Sequence, residues 1–164
     1  MSTPPITLRP ATPADVDDIV AMIRELAVFE KLEHMVVLTP QMLSAQLFGA
    51  RPAAEVVMAE LDRVVQGFAL YFHNFSTFRG QPGLYLEDLY VRPAARGCGL
   101  GRAVLSHLGA LAVERGCGRF EWSVLDWNEG AICFYEKMGA TVMHDWRICR
   151  IAGPALEAFG RGVS

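Results

Sequence analysis

The sequence lacks any cluster of basic residues, and its charges nearly cancel. Fifteen Lys and Arg residues stand against eighteen Asp and Glu residues, which leaves a formal net charge of -3 at pH 7. A protein that wraps nucleic acid needs clustered cations to neutralise phosphates, so no nucleic-acid partner is expected. A mildly acidic chain suits a small molecule better, and it would not repel a cationic one.

Long apolar runs are also lacking. No stretch approaches the roughly 20 apolar residues that a membrane-spanning helix needs. The first ten residues, MSTPPITLRP, contain no basic segment followed by a long apolar one, so no secretory signal is expected. From these two absences we expect a cytoplasmic protein with no membrane partner.

Paired cysteines and metal-ligand spacings are missing as well. The four cysteines lie far apart at positions 98, 117, 133 and 149, with no CxxC pair and no histidine at ligand spacing. Reduced thiols and the absence of a metal site are therefore expected. What is present is apolar: 52% of the 164 residues are hydrophobic and 20% are charged, which excludes a disordered chain. We expect residues 1–164 to form a single domain.

The pattern of apolar residues predicts an α/β fold. Strands are expected at residues 6–9, 55–61, 64–72, 83–91, 119–126 and 141–151, with a tight turn at Asp62 and Arg63 and a loop over 73–83. Helices are expected at residues 12–32, 40–48, 103–116 and 128–139. This order predicts a mixed sheet with helices on its faces.

A glycine-rich loop between the strand at 83–91 and the next helix is the most informative segment. Its residues, RGCGLGR over 96–102, would present backbone N–H groups at the positive end of a helix. Such a loop is a cradle for pyrophosphate, although a plain glycine-rich turn remains the alternative. The spacing fits neither the dinucleotide fingerprint nor a Walker A loop.

The same loop resembles the [RQ]xxGx[GA] loop of the GCN5-related N-acetyltransferases (GNAT), where it binds the pyrophosphate of acetyl-CoA. The segments FEKLE, YLEDLYV and VLDWN resemble a narrower branch, the diamine (spermidine/spermine) and thialysine N-epsilon-acetyltransferases. The resemblance runs from about Ile6 to Ile151. It implies a mixed, mostly antiparallel central sheet with helices on both faces, direct transfer from acetyl-CoA in a ternary complex, and a homodimer.

The resemblance also assigns the residues that bind acetyl-CoA. In the family the strand before the loop is splayed, so that its backbone N–H groups face the pantetheine arm and the thioester carbonyl. The implied acetyl-CoA contacts are Leu89, Tyr90, Val91, Arg96, Gly97, Cys98, Gly99, Leu100, Gly101, Arg102 and Asn128.

Two residues match catalytic positions of the family. Tyr135 matches the general acid, since a phenol can protonate a departing thiolate, although periodicity alone would make it a core residue. Glu87 and Asp88 are adjacent on a strand and should point to opposite faces. The resemblance selects Glu87 as a ligand of the amine, with a role as proton acceptor through water left open. Its alternative is an ordinary solvent-facing acid.

The resemblance places the amine substrate beside Phe29, Glu30, Glu87, Asp145 and Trp146. Polyamine acetyltransferases carry a longer acidic segment before the tryptophan that corresponds to Trp146, whereas only Met143, His144 and Asp145 precede it here. A shorter diamine or a lysine-like amino acid such as thialysine is therefore favoured over spermidine and spermine. A protein or antibiotic acetyltransferase, or a non-catalytic acyl-CoA-binding protein, remains the alternative.

Overall fold

The computed structural model describes residues 4–162, and contacts along the chain divide it into two compact units, Met1–Ser123 and Val124–Ser164. Each unit is described by itself below. The larger unit holds every strand that the described residues form. Whether both units act as one domain, as the sequence led us to expect, stays a prediction.

The first unit is built on a five-stranded sheet. Its strands follow the chain order β1-β2-β3-β4-β5; neighbours among the first four are antiparallel, and β5 runs parallel to β4. The strands are Ile6–Pro10 (β1), Glu55–Leu61 (β2), Val64–Ser76 (β3), Gln81–Val91 (β4) and Phe120–Trp122 (β5). This arrangement confirms the predicted mixed, mostly antiparallel sheet.

The turn between β2 and β3 is the tight one that the sequence predicts. Asp62 and Arg63 have φ angles of 52° and 65°. Two central residues with positive φ match the right-handed twist of the strands they join, which explains why so short a connection is possible.

The loop predicted over residues 73–83 is wrong in extent. β3 continues to Ser76 and β4 already begins at Gln81, with Phe75 opposite Pro82, so only residues 77–80 remain as a turn. The Gly and Pro residues favoured a loop in the sequence, but pairing between the strands outweighs this local preference.

Helices cover both faces of this sheet, as predicted. Helices α1 (Val16–Phe29) and α2 (Pro40–Phe48) form one core with Met58, Phe68 and Tyr90, which lie opposite one another on three adjacent strands. Because side chains alternate along a strand, the neighbours of these residues face the other side of the sheet. Helix α3 (Leu100–Glu114) contacts the same strands there.

The helix predicted over residues 12–32 is shorter than expected. A 3-10 turn occupies Pro13–Asp15 and the α-helix ends at Phe29. Asp15 is held at the start by Arg9, with two hydrogen bonds of 2.8 Å, and by the backbone of Thr12 at 2.7 Å. Lys31, with a φ of 61°, turns the chain away after the last helical turn.

The second unit contains two short helices, α4 (Glu129–Lys137) and α5 (Gly153–Gly160), of which α5 was not predicted. The strand predicted over residues 141–151 is wrong, because that part of the structure contains neither strand nor helix. Its apolar side chains are exposed, 77% for Trp146 and 69% for Ile148. Alternation alone does not make a strand, since the backbone also needs a pairing partner. Within residues 4–162, no helix is long and apolar enough to cross a membrane.

Candidate active site

A β-bulge in β4 sets the geometry of the candidate site. Leu86 lies opposite Tyr71 of β3, and Asp88 lies opposite Leu70, the residue just before Tyr71, so Glu87 is an extra residue without a partner on β3. A bulge of this kind shifts the alternation of side chains along a strand. Leu86 therefore shares the sheet face of α3, whereas Asp88 shares the face of α1 with Leu70.

Beyond the bulge, β4 is paired along one edge only. Pairing with β5 covers Leu84–Leu86 and no later residue among those described. On the β3 side, the N–H of Arg92 donates to the carbonyl of Gln66 at 2.8 Å. Since alternate residues of an antiparallel strand bond to opposite edges, the N–H groups of Leu89 and Val91 face away from β3. They are oriented to bind a carbonyl or amide oxygen beside the strand.

The glycine loop that follows β4 leads directly into α3. Gly97 and Gly99 have φ angles of 79° and 83°, a conformation that favours glycine. Gly99 is the N-cap of α3, and the first turn of that helix, from Leu100, contains no acidic residue. Its N–H groups thus form an uncompensated positive end that suits an anion such as a pyrophosphate.

Two arginines fix the loop to the rest of the unit. Arg92 lies 3.2 Å from Glu25 of α1 and also donates to the carbonyl of Val65 at 3.2 Å. The Nε of Arg96 donates to the carbonyl of Val91 at 2.9 Å. The loop is therefore anchored on both α1 and the end of β4.

Three carboxylates interact on the α1 side of the bulge. The burial of Asp88, together with the charges of Glu87 and Glu30, raises its pKa to about 6. Burial also raises the pKa of Glu30, which is the C-cap of α1. Glu87 itself is exposed. Such a cluster attracts a cation, because a bound ammonium group would offset the repulsion between the acids.

Asp88 is a functional candidate that the sequence reasoning passed over. The expectation that Glu87 and Asp88 point to opposite faces assumed a regular strand, and that regularity ends at Glu87. Nothing in the sequence YLEDLYV marks a bulge, so this feature could be found only in the structure.

The second unit carries the other predicted site residues. The side chain of Asn128 caps α4 by accepting a hydrogen bond from the N–H of Ala131 at 3.2 Å. Tyr135 is half-buried on that helix, with its ring 5.5 Å from that of Phe134, and Gly139, with a φ of 97°, ends the helix. Asp145 and Trp146 are both exposed in the irregular segment before α5.

The structure thus brings together Phe29, Glu30, Glu87 and the glycine loop within the first unit. Asn128, Tyr135, Asp145 and Trp146 belong to the second unit. In the part of the chain that the structure describes, no group of three or more His, Cys, Asp or Glu side chains could hold a metal ion.

The model of the acetyltransferase (GNAT) family matches residues 19–140. The chain belongs to this family and is an N-acetyltransferase, which confirms the resemblance seen in the sequence.

Similar proteins of known activity support this assignment. The chain is 38% identical to the thialysine N-epsilon-acetyltransferase of Mus musculus, over 94% of this chain and 97% of that one. It is 35% identical to an L-ornithine N5-acetyltransferase of Arabidopsis thaliana, over 94% and 87%. Among solved structures, an integron cassette protein of V. cholerae is similar, with a TM-score of 0.80, 25% identity and coverage of 96% and 98%.

Proposed function

We propose that the protein transfers the acetyl group of acetyl-CoA to the primary amine of a small cationic metabolite. The observation that carries this proposal is the position of Asp88. A half-buried carboxylate, whose charge interacts with those of Glu87 and Glu30, lies on the same strand segment as the N–H groups of Leu89 and Val91 that face away from β3. The group proposed to bind the cation, Asp88, thus directly precedes Leu89 and lies three positions before Val91, whose N–H groups would bind the carbonyl.

The acetyl-CoA side of the site fits the chain's own residues. The glycine loop and the start of α3 offer N–H groups to a pyrophosphate. No acidic side chain in the first turn of α3 offsets the positive end of the helix, so a bound anion would be stabilised there. The N–H groups of Leu89 and Val91 would bind the pantetheine arm and stabilise the oxyanion that forms at the thioester carbonyl. These interactions need no particular side chain, which explains how Leu89 and Tyr90 can occupy positions that are phenylalanines in related enzymes.

The amine side needs a charge that holds an ammonium group and a route by which that group loses a proton. With a pKa of about 6, Asp88 is ionised at pH 7 and attracts the cation. An alkyl amine with an ordinary pKa of about 10.4 must be deprotonated before it attacks. Glu87, exposed at the bulge, is the acceptor of that proton, through a water molecule.

The remaining steps balance the protons and the bonds. The amine nitrogen forms the new bond to the acetyl carbon, and the carbon–sulfur bond of the thioester breaks. Tyr135 donates its phenolic proton to the departing thiolate. The nitrogen loses its second proton as the amide forms, and that proton restores the Tyr135 phenol, so the net reaction releases only the proton accepted by Glu87. The transfer is direct, in a ternary complex, because Cys98 belongs to the pyrophosphate loop and no other residue is assigned as an acyl carrier.

The preferred amine is a short diamine or a diamino acid. Two similar enzymes are named for ornithine and thialysine, which each carry two amino groups and a carboxylate. Only Met143, His144 and Asp145 precede Trp146, where the polyamine enzymes carry a longer acidic segment, so Asp145 alone could replace the acidic contact to the far end of a polyamine. We also infer that the chain acts in the cytoplasm as a homodimer of single domains.

A panel of amines tests this proposal. Release of free thiol from acetyl-CoA should be measured with thialysine, ornithine, lysine, putrescine, spermidine, a lysine peptide and an aminoglycoside. We expect kcat/KM to be highest for one of the first four amines. Turnover confined to the peptide or the aminoglycoside would favour those substrate classes instead. Acetyl-CoA binding without turnover of any amine would contradict the proposal and favour a non-catalytic acyl-CoA-binding protein.

Tyr135→Phe tests the mechanism separately. The variant should lower kcat by about a hundredfold or more, because the thiolate would leave without its proton donor. The affinity for CoA, measured by calorimetry, should stay within about twofold. Turnover equal to that of the wild type would remove Tyr135 from this role without touching the proposed substrates.

A further inference from the structure

The guanidinium group of Arg96 lies over two aromatic rings. It is 5.1 Å from the centroid of the Phe29 ring and 5.8 Å from that of the Tyr90 ring. Phe29 is the last residue of α1, Tyr90 lies near the end of β4, and Arg96 begins the glycine loop. One side chain therefore connects the three elements that meet at the loop.

A hydrogen bond and two ring contacts restrain the position of the Arg96 guanidinium group. Its Nε is committed to the carbonyl of Val91 at 2.9 Å, and a planar cation stacks favourably on an aromatic face. Tyr90 is only 5% exposed, so one of the two rings is itself held firmly by the core. Lysine, a point charge on a flexible stem, could not reproduce this arrangement.

The loop needs such an anchor because its own residues supply little restraint. Gly97 and Gly99 follow Arg96 closely, and a side chain at either position would meet no atom within 4 Å. Glycines in open space gain conformational entropy when the loop is free, and ordering them at the moment of binding would weaken affinity. A fixed Arg96 orders the start of the loop beforehand.

We propose that Phe29 and Tyr90 hold Arg96 as a positioning residue that pre-organises the glycine loop for the pyrophosphate of acetyl-CoA. This inference rests on the proposed function and refines it. The resemblance assigns the ring of Phe29 to the amine substrate, whereas in this proposal the ring supports the binding of acetyl-CoA through Arg96. Glu30, the next residue, remains on the amine side.

Calorimetric binding of CoA to the full chain tests this assignment. Phe29→Leu removes the ring but keeps an apolar side chain, and it should weaken CoA binding about two- to five-fold. Arg96→Lys should weaken binding at least as much. Because the two side chains act as one unit, the double variant should be no weaker than the Arg96→Lys variant alone.

Two further variants serve as comparisons. Phe29→Tyr keeps the ring and should retain CoA affinity within about twofold. Phe75→Leu makes the same change at another exposed phenylalanine of β3. Phe75 pairs with Pro82, far along the strand from Gly67, which pairs with Val91 beside the loop, so this variant should leave CoA affinity unaltered. Thermal unfolding of each variant separates loss of fold from loss of affinity. If Phe29→Leu proves unfolded, Arg96→Lys, a change at an exposed residue, carries the comparison.

Steady-state kinetics give the decisive readout. Phe29→Leu should raise KM for acetyl-CoA and leave KM for the amine unchanged. The opposite split, a higher KM for the amine with unchanged CoA affinity, would overturn the proposal and return Phe29 to the amine side. A wild-type protein that binds no CoA would instead refute the proposed function itself, and that result is distinguishable because no variant is involved.

Discussion

The two halves of β4 use the same backbone for different purposes. Over Leu84–Leu86 the strand is paired on both edges, and Leu84 and Leu86 are 0% and 2% exposed. Beyond Glu87, β3 is the only pairing partner of the strand among residues 4–162, and this half carries the charged Asp88. The bulge at Glu87 is the boundary between them.

This difference shows how one strand can be both a structural support and a binding surface. Pairing on both edges leaves no open edge in the first half to which a ligand could hydrogen-bond. Single pairing in the second half leaves the N–H groups of Leu89 and Val91 available, next to a carboxylate that the bulge turns toward α1. Stability should therefore depend mainly on the first half, and chemistry on the second.

The largest effect is expected from removing a side chain in the doubly paired half. Leu84→Ala should lower the free energy of unfolding by about 2–5 kcal/mol, because the residue is fully buried and leaves a cavity. Urea denaturation measures this loss. Leu89→Ala changes a half-buried side chain in the second half and should lower the free energy of unfolding clearly less. Equal losses at the two positions would contradict the division of β4 into these two halves.

The next effect is a pH dependence of stability caused by Asp88. Its pKa is raised from 3.8 to about 6 in the folded state, so the folded protein binds this proton more tightly than the unfolded chain does. The resulting stabilisation is fully present below about pH 4 and is lost as the pH rises through 6, a change of about 3 kcal/mol.

Asp88→Asn is the control for that pH dependence. Arg9 lowers the pKa of Asp15, so Asp15 changes stability with pH in the opposite direction. Both proteins contain Asp15, so subtracting the unfolding free energy of the variant from that of the wild type removes its contribution. The difference in unfolding free energy between wild type and variant should therefore fall from pH 4 to pH 7. A flat difference would mean that the carboxylate of Asp88 is not desolvated in solution.

The same substitution should affect catalysis. Asp88→Asn should lower kcat/KM for the amine by about 10- to 100-fold, because a charge-assisted contact to the ammonium group is lost. CoA affinity should be little changed. Glu114→Gln, at an exposed acid that ends α3, is the matched control and should leave kcat/KM unaltered. A loss of equal size in both variants would point to net charge rather than to the site.

The smallest effect concerns an ion pair beside the doubly paired half. Arg115 contacts Glu55 of β2 at 2.6 Å and lowers the pKa of that carboxyl, but both side chains are more than one third exposed. Glu55→Gln should therefore cost at most about 1 kcal/mol of unfolding free energy, and less at high salt. A loss comparable to that of Leu84→Ala would show that charge, rather than packing, secures this half.

Much of the fold and part of the site could be predicted because local signals there are strong. The short apolar runs on either side of Asp62 and Arg63 predict the β2–β3 hairpin, and both residues have positive φ in the structure. The helix predicted over residues 40–48 is α2. The glycine-rich segment between a strand and a helix was likewise located from the sequence. Elements without such signals were missed, among them α5 and the true length of β3.

Only tertiary structure could correct the remaining errors. The segment over residues 141–151 alternates like a strand, yet residues 124–162 of its unit contain no strand that could pair with it, and most of its side chains are exposed. Conversely, residues 73–76 have weak strand propensity, but β4 provides the pairing that keeps them extended. Pairing between distant segments is not encoded in either segment alone.

The sequence by itself determined the family, and it located the glycine loop and the acids proposed for the amine site, since these depend on residue types at fixed spacings. It could not determine which acid is desolvated or which N–H groups are free. Those properties depend on an extra residue in β4, on the early end of β5 and on the ring that α1 places against Arg96. The physical reason is that burial, charge coupling and backbone pairing arise between segments far apart in the chain.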